Sequence, residues 1–398
     1  MSFSSPLAGV RVLTFESFGA GPFGSMYLAD LGAEVIKIEN RSQGGDASRG
    51  MGPHFLAERD SHYFQTFNLN KKSCALDLKH PLGRNAFLSL AATADAVMNN
   101  LRGDQPEKLG LTYSALQSVK PQLVCAHLSA YGRDNERRSW PGYDYLMQAE
   151  AGYFHLTGEP DTPPSRMGLS VIDFMTGITT ALALTSALLS VQRTGVGGDI
   201  DVSLFDVALH QLSYPGAWFL NERAPTTRQP RSAHPTATPV QLYRTQDGWI
   251  FLMCMTEKFW QELVKALQRP DLAADTRFAT SALRRRNREV LTVLLDEALC
   301  RDTTANWLKK FSGLLPAAPV HDLAGALDNP FLVRTGMIRN TPHPHRNDFR
   351  TLANPIRLDG QRLPSRVCSA LGADTDDILR EAGLTDRELS ALHEAGAA

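Results

Sequence analysis

Short apolar runs rich in β-branched residues alternate with helical periodicity through the first half of the chain. Residues 10–15 (Val-Arg-Val-Leu-Thr-Phe) and 34–39 (Glu-Val-Ile-Lys-Ile-Glu) read as strands, and residues 21–32 between them as a helix with Pro22 in its first turn. A helix over 81–93, a strand over 96–99, a helix over 112–120 and a strand over 123–128 continue the alternation. Strand and helix taking turns predicts βαβ units and a mostly parallel, doubly wound sheet, which is an α/β fold.

Residues 174–191 then form an eighteen-residue stretch without a charge, containing four threonines, two serines and a glycine. That polar content makes a poor membrane span and predicts a helix buried between other elements of a soluble protein. A turn over 194–198, a strand over 199–204 and a helix opening near 205 follow. The pattern changes at 221–239, which is rich in Pro, Arg, Thr and Ala and reads as a linker. Beyond it, residues 241–244 and 249–253 flank Gln246-Asp247-Gly248, predicting a hairpin closed by a tight primed turn. Helices over 257–267, 286–299 and 303–314 complete a smaller α+β unit, and a Pro/Ala stretch over 315–320 leads to a C-terminal segment.

Composition narrows the class. Of 398 residues, 43% are apolar and 21% charged, which suits a soluble enzyme of more than one domain. The 41 basic and 42 acidic side chains leave a net charge of −1, so no global field attracts nucleic acid or an anionic membrane, and an anion must be held locally. The five cysteines form no Cys-x-x-Cys pair and no cluster with histidine, which predicts reduced thiols in a cytoplasmic protein and no metal site. The first residues lack the basic and apolar regions of a signal peptide. Arg284, Arg285, Arg286 and Arg288 have no interleaved aromatics and read as a solvated helix start, not a nucleic-acid patch.

Two local patterns carry candidate chemistry. Gly19-Ala-Gly21-Pro-Phe-Gly24 matches G-x-G-x-x-G between a strand and a helix, with Glu39 twenty residues beyond Gly19. Against a dinucleotide site, Glu16, Ser17 and Phe18 separate it from the strand, and Pro22 deletes an amide donor. A close packing turn and a loop beside another nucleotide-bearing cofactor are the remaining readings. The second pattern is Asp173, a lone carboxylate ahead of the uncharged helix. It reads either as an N-cap, or as an anion kept ionised by the helix amides and available as a nucleophile.

Several segments in order resemble the class III coenzyme A transferases, of the formyl-CoA transferase type. They include Leu31-Gly-Ala-Glu-Val-Ile-Lys-Ile-Glu39, Asn68-Leu-Asn-Lys-Lys-Ser73, Pro141-Gly-Tyr-Asp144, Gly168-Leu-Ser-Val-Ile-Asp173 and Asn354-Pro-Ile356. The resemblance implies a large Rossmann-like domain from both chain ends (1–205 and 321–398), a linker over 206–235, a small α+β domain inserted over 236–320, and an interlocked homodimer. It places the catalytic aspartate on Asp173 and coenzyme A contacts on Ala20, Leu76, Lys79, Asn100, Leu101, Lys108 and Tyr143. Asn40 and Gly19 stand where formyl-CoA relatives carry an arginine and a glutamine, which argues against a formyl substrate and leaves Arg41 or Arg102 to take one phosphate contact.

The implied chemistry needs no metal and no tightly bound cofactor, with acyl-CoA and a small carboxylate as substrates. Asp173 would form an aspartyl-CoA thioester on the way from donor to acceptor. The transferases that it most resembles use succinyl-CoA or C4–C5 dicarboxylates such as mesaconate, citramalate or itaconate. A 2-methylacyl-CoA racemase shares the fold and the aspartate, but has histidine where this chain has Tyr143, and a phenol is a poor base near neutrality. A non-catalytic CoA-binding protein is the third reading. His234 and Arg166 are the candidate partners for a distal substrate carboxylate.

Overall fold

The computed structural model describes residues 5–398. Its first compact unit takes in Met1–Ala151, Met167–Ser213 and Phe331–Ala398. Six parallel strands form the central sheet: β1 (Arg11–Phe15), β2 (Glu34–Glu39), β3 (Lys72–Ala75), β4 (Ala96–Asn99), β5 (Val124–Ser129) and β6 (Gly198–Ser203). Their spatial order is β3-β2-β1-β4-β5-β6. The chain runs outward from β1 to β3, then returns to the other side of β1. This reversal opens a crevice beyond the carboxyl ends of β1 and β4, where doubly wound folds bind ligands.

Both sheet faces are buried, as parallel sheets require. On one face Leu13, Ile36, Val97 and Cys125 pack against the helix Pro81–Thr93 and the C-terminal helices Thr375–Glu381 and Asp386–Glu394. On the other, Val12, Val35, Met98 and Ala126 meet α1 (Ala20–Asp30) and α2 (Val171–Thr194). Phe87, wholly buried and edge-on to Phe15 at 5.3 Å, anchors the first face; its truncation to alanine would cost about 3–5 kcal/mol.

The helix α2 departs from the expectation of a fully buried element. It is the one helix among the described residues long and apolar enough to cross a membrane, yet only a third of its apolar window is buried. Ile172, Thr176, Thr180 and Leu184 face the core, while Ile178, Leu182 and Leu189 are exposed.

The second unit comprises Gly152–Arg166 and Tyr214–Pro330. It is wider than 236–320, because Arg228 donates to the carbonyl of Thr162 (2.7 Å) and the Arg231 amide donates to Glu159 (2.9 Å), fastening 152–166 to the stretch expected as a linker. Its hairpin, β7 (Val240–Arg244) with β8 (Trp249–Met253), is antiparallel. The loop is four residues long, closed by the Thr245 amide on the Gly248 carbonyl, and Gly248 has no positive φ. No primed turn forms at Asp247-Gly248, because the Asp247 carboxylate is committed to the Thr304 amide and hydroxyl (2.8 and 2.9 Å). Arg284 also departs from its reading as solvated. It is buried over the Trp260 ring, with its guanidinium on Glu257 (2.9 Å) and the Thr238 carbonyl (3.2 Å).

Candidate active site

A cleft of about 730 Å³ opens at the carboxyl ends of the parallel strands, and all its walls belong to the first unit. Residues 15–20 run on from the end of β1, 38–40 end β2, 76–79 follow β3, 100–102 follow β4, and 128–130 end β5. Asp173, in the first turn of α2, also lines it.

Asp173 does not cap its helix. The cap comes from Asp144, at the start of the helix Asp144–Glu150, whose Oδ2 accepts from the amides of Ile172 (2.6 Å) and Asp173 (3.0 Å). Asp144 Oδ1 meanwhile accepts from the Gln148 side-chain amide (2.5 Å). Two first-turn amides of α2 are therefore engaged by a neighbouring carboxylate, and no donor among the described residues reaches the carboxylate of Asp173. Burial, and after it the charge of Asp144, push Asp173 up to about 7. This corrects the sequence reading that the helix amides hold Asp173 firmly ionised: Asp144 has taken those amides and adds a like charge.

The glycine motif is explained by packing around this carboxylate. A Cβ on Gly19 would lie 2.5 Å from Asp173 Oδ2, so any side chain there would displace the carboxylate. A Cβ on Gly24 would collide with the Gly177 carbonyl, and one on Gly177 would lie 2.5 Å from the Ala20 carbonyl. The glycines let α1 and α2 cross in close contact, with Asp173 at the crossing.

Of the expected coenzyme A contacts, Ala20, Leu76, Lys79, Asn100, Leu101 and Tyr143 all line the cleft with Asp173. Lys108 does not; its ammonium is paired with Asp104 at 2.6 Å. Arg102 lines the cleft, whereas the guanidinium of Arg41 lies against Gly372. Asn100 also has a local task, since its side chain accepts from the Ser17 amide (2.9 Å) and donates to the Ser17 carbonyl (2.8 Å). Tyr143 is exposed at the cleft and stands edge-on to Phe18 at 6.0 Å.

His234 and Arg166 belong to the second unit. The Nδ1 of His234 accepts from the amides of Thr236 and Ala237 (both 3.2 Å), and its ring stacks on Tyr214. Arg166 is exposed at the end of the 152–166 segment. Sequence reasoning missed Asp144 as the cap of α2, 26 positions before Ser170 in the chain, since a cap supplied from another helix leaves no local signature. It also missed Asp46, whose carboxylate reaches back to the loop after β1.

A doubly wound parallel sheet with a carboxylate in its switch-point cleft is a ligand-binding α/β arrangement, and comparison with known proteins identifies the family. The family model described as CoA-transferase family III matches residues 7–375, and the chain belongs to that family; it is a CoA-transferase. It is 30% identical over its whole length to the human succinyl-CoA:glutarate CoA-transferase, covering 90% of that protein. It is 31% identical to the succinyl-CoA:mesaconate CoA-transferase of Haloarcula marismortui, over 95% of this chain and 96% of that one. Among solved structures, a CaiB/BaiF family protein from Brucella suis superposes with a TM-score of 0.83 at 31% identity, covering 95% of this chain and all of that one.

Proposed function

We propose that the protein moves coenzyme A from succinyl-CoA, or a similar dicarboxylyl-CoA, to a C4–C5 dicarboxylate such as glutarate, mesaconate, citramalate or itaconate, with Asp173 as the covalent carrier. The observation that carries this reading is the Asp173 carboxylate itself: half-buried, unpaired with any donor among the described residues, and facing the switch-point cleft. A carboxylate freed from capping and partly desolvated is a better nucleophile than a solvated one. Relatives named for succinyl-CoA with glutarate or mesaconate support the choice of substrate class.

In the proposed cycle a carboxylate oxygen of Asp173 attacks the thioester carbonyl. The C–S bond breaks, giving a mixed anhydride and the CoA thiolate. The thiolate attacks the aspartyl carbonyl, forming the aspartyl-CoA thioester and expelling the donor acid as its carboxylate. The acceptor carboxylate then attacks the aspartyl carbonyl, releasing thiolate, which captures the acceptor's acyl carbon and returns Asp173 as a carboxylate. Each tetrahedral oxyanion needs preorganised donors. The helix α1 opens at Gly19 beside Asp173, so its first-turn amides at Ala20 and Gly21 are candidates for that work. Lys79 and Arg102 are the cations of the cleft suited to phosphate. His234 and Arg166 are retained as candidate contacts for the distal carboxylate. Ile178, Leu182 and Leu189 on the open face of α2 support a homodimer that covers them.

The test is a mass-spectrometric screen of acyl-CoA donors against carboxylate acceptors, with hydroxylamine trapping at Asp173. A new CoA ester from succinyl-CoA and a short dicarboxylate is expected. Deuterium exchange at the α-carbon of a 2-methylacyl-CoA, with no acceptor converted, would establish a racemase instead.

A further inference from the structure

The loop between β1 and α1 is fixed from beneath by a cluster of buried charges. Lys37, wholly buried in the middle of β2, donates to the Glu16 carbonyl (2.9 Å) and pairs with Asp46 Oδ2 (2.9 Å). Asp46 Oδ1 accepts from the Ser17 hydroxyl (2.6 Å), the Phe18 amide (3.3 Å) and the Ser48 amide (2.9 Å). Lys71, also buried, holds the Glu16 carboxylate at 2.8 Å and the Pro22 carbonyl at 2.9 Å. Between these anchors Phe18 has a φ of +64°, the left-handed region that a residue with a Cβ adopts only under constraint. The next residue is Gly19, whose Cα faces the Asp173 carboxylate.

We propose that Asp46, oriented by Lys37, is a positioning residue for the transfer reaction: it pins Ser17 and Phe18 so that the strained turn holds the Gly19 backbone against Asp173. The inference rests on the reading of Asp173 as nucleophile. Buried ion pairs are poor sources of net stability, because desolvation cancels much of their attraction. A buried lysine and aspartate joined to a strained turn beside the reacting carboxylate therefore point to geometry as their use. The anchor's bonds also fall on the loop's backbone amide and a hydroxyl, the groups that set its path.

Two substitutions separate this role from bulk stability. Ser17→Ala removes one 2.6 Å bond to Asp46 and leaves the Lys37–Asp46 pair, and Asp46→Ala removes the anchor. With succinyl-CoA and glutarate as probes, kcat should fall by roughly 10- to 100-fold in Asp46→Ala and less in Ser17→Ala, as misplacement of a reacting group by about 1 Å does. The KM for succinyl-CoA should stay within about threefold, because the loss lies in the reacting geometry. Phe18→Asn supplies the discriminating arm. Asparagine tolerates the left-handed region, so the anchor should matter less, and either loss should shrink by about tenfold or vanish in that background. If Asp46→Ala fails to fold, as judged by its melting curve, the Ser17→Ala and Phe18→Asn cycle decides alone. Wild-type kcat in the folded variants, a loss confined to KM, or equal losses with Phe18 and Asn at position 18 would overturn the proposal. Asp173→Ala assayed alongside keeps the two readings apart. Near-wild-type turnover there removes the nucleophile, whereas its loss together with full turnover in Asp46→Ala removes only the positioning role.

Discussion

Asp144 accepts the backbone amide of Asp173 at 3.0 Å, so one carboxylate caps the helix and leaves its neighbour's carboxylate uncapped. The same contact lifts the affinity of Asp173 for a proton, as burial does more strongly. Asp173 is the third residue of α2, past the N-cap position at Ser170, and with Asp144 on the amides of Ile172 and Asp173 its own carboxylate is left available for covalent chemistry.

The pH dependence of kcat/KM should carry this relationship. Only ionised Asp173 attacks a thioester, so the acid limb should rise as pH passes through about 7. Asp144→Asn keeps an acceptor for the helix amides and removes the like charge, which moves the limb to lower pH without returning it to the range of a solvated aspartate. An unmoved limb would show that Asp144 acts only as a cap. In Asp144→Ala the lost cap should additionally cost about 0.5–2 kcal/mol.

Stability should respond to pH with the opposite sign from an ordinary paired aspartate. The folded-state value of Asp173 lies near 7, above the ordinary value of about 3.9 for the unfolded chain. The folded state thus binds the extra proton between those limits, and the contribution of Asp173 becomes less favourable as pH rises through that window. Asp173→Asn should therefore raise the melting temperature at pH 8, by an amount that shrinks toward pH 5. The same substitution should abolish CoA exchange. Equal melting shifts at both pH values would contradict the raised value.

The helix crossing should be intolerant of a single methyl group. Gly24→Ala drives a Cβ into the Gly177 carbonyl, and overpacking of this kind costs about 1–3 kcal/mol. Gly19→Ala places its Cβ against Asp173 Oδ2 and should lose turnover more than stability. Thermal melts and steady-state rates on both variants test the division.

For coenzyme A itself, Lys79→Ala and Arg102→Ala should each raise the KM for acyl-CoA several-fold, with the effect reduced for a dephosphorylated analogue. Lys108→Ala should change it little, because that side chain does not line the cleft.

Homodimerisation is checked by light scattering at low concentration, with Leu182→Glu as the probe on the exposed face of α2. A dimer of the wild-type chain that dissociates or loses activity in the variant is expected. A monomeric, active wild-type protein would contradict the dimer.

Periodicity in the sequence was enough to locate five of the six strands of the central sheet. The strands Glu34–Glu39 and Ala96–Asn99 and the helix Pro81–Thr93 were legible to the residue, because burial on both sheet faces and a proline at a helix start leave local signatures. The strand Lys72–Ala75 was not legible. Its lysine and serine read as polar, and only its neighbours explain them: Ser73 donates to Glu39 at 2.6 Å, across the sheet from its own strand. The helix expected over 112–120 shortened to Tyr113–Leu116. The candidate nucleophile could be picked out from Asp173 and the segments around it, and six of the expected cofactor contacts fell on one cleft. What the sequence could not supply was the electrostatic state of that site. The proton affinity of Asp173 depends on Asp144, and the course of the loop before Gly19 depends on Lys37 from within β2, Asp46 from the loop after it, and Asn100 just past the end of β4. Side-chain periodicity is a property of one element, whereas proton affinity and clearance around a carboxylate are properties of several elements at once, and only the tertiary structure brings those together.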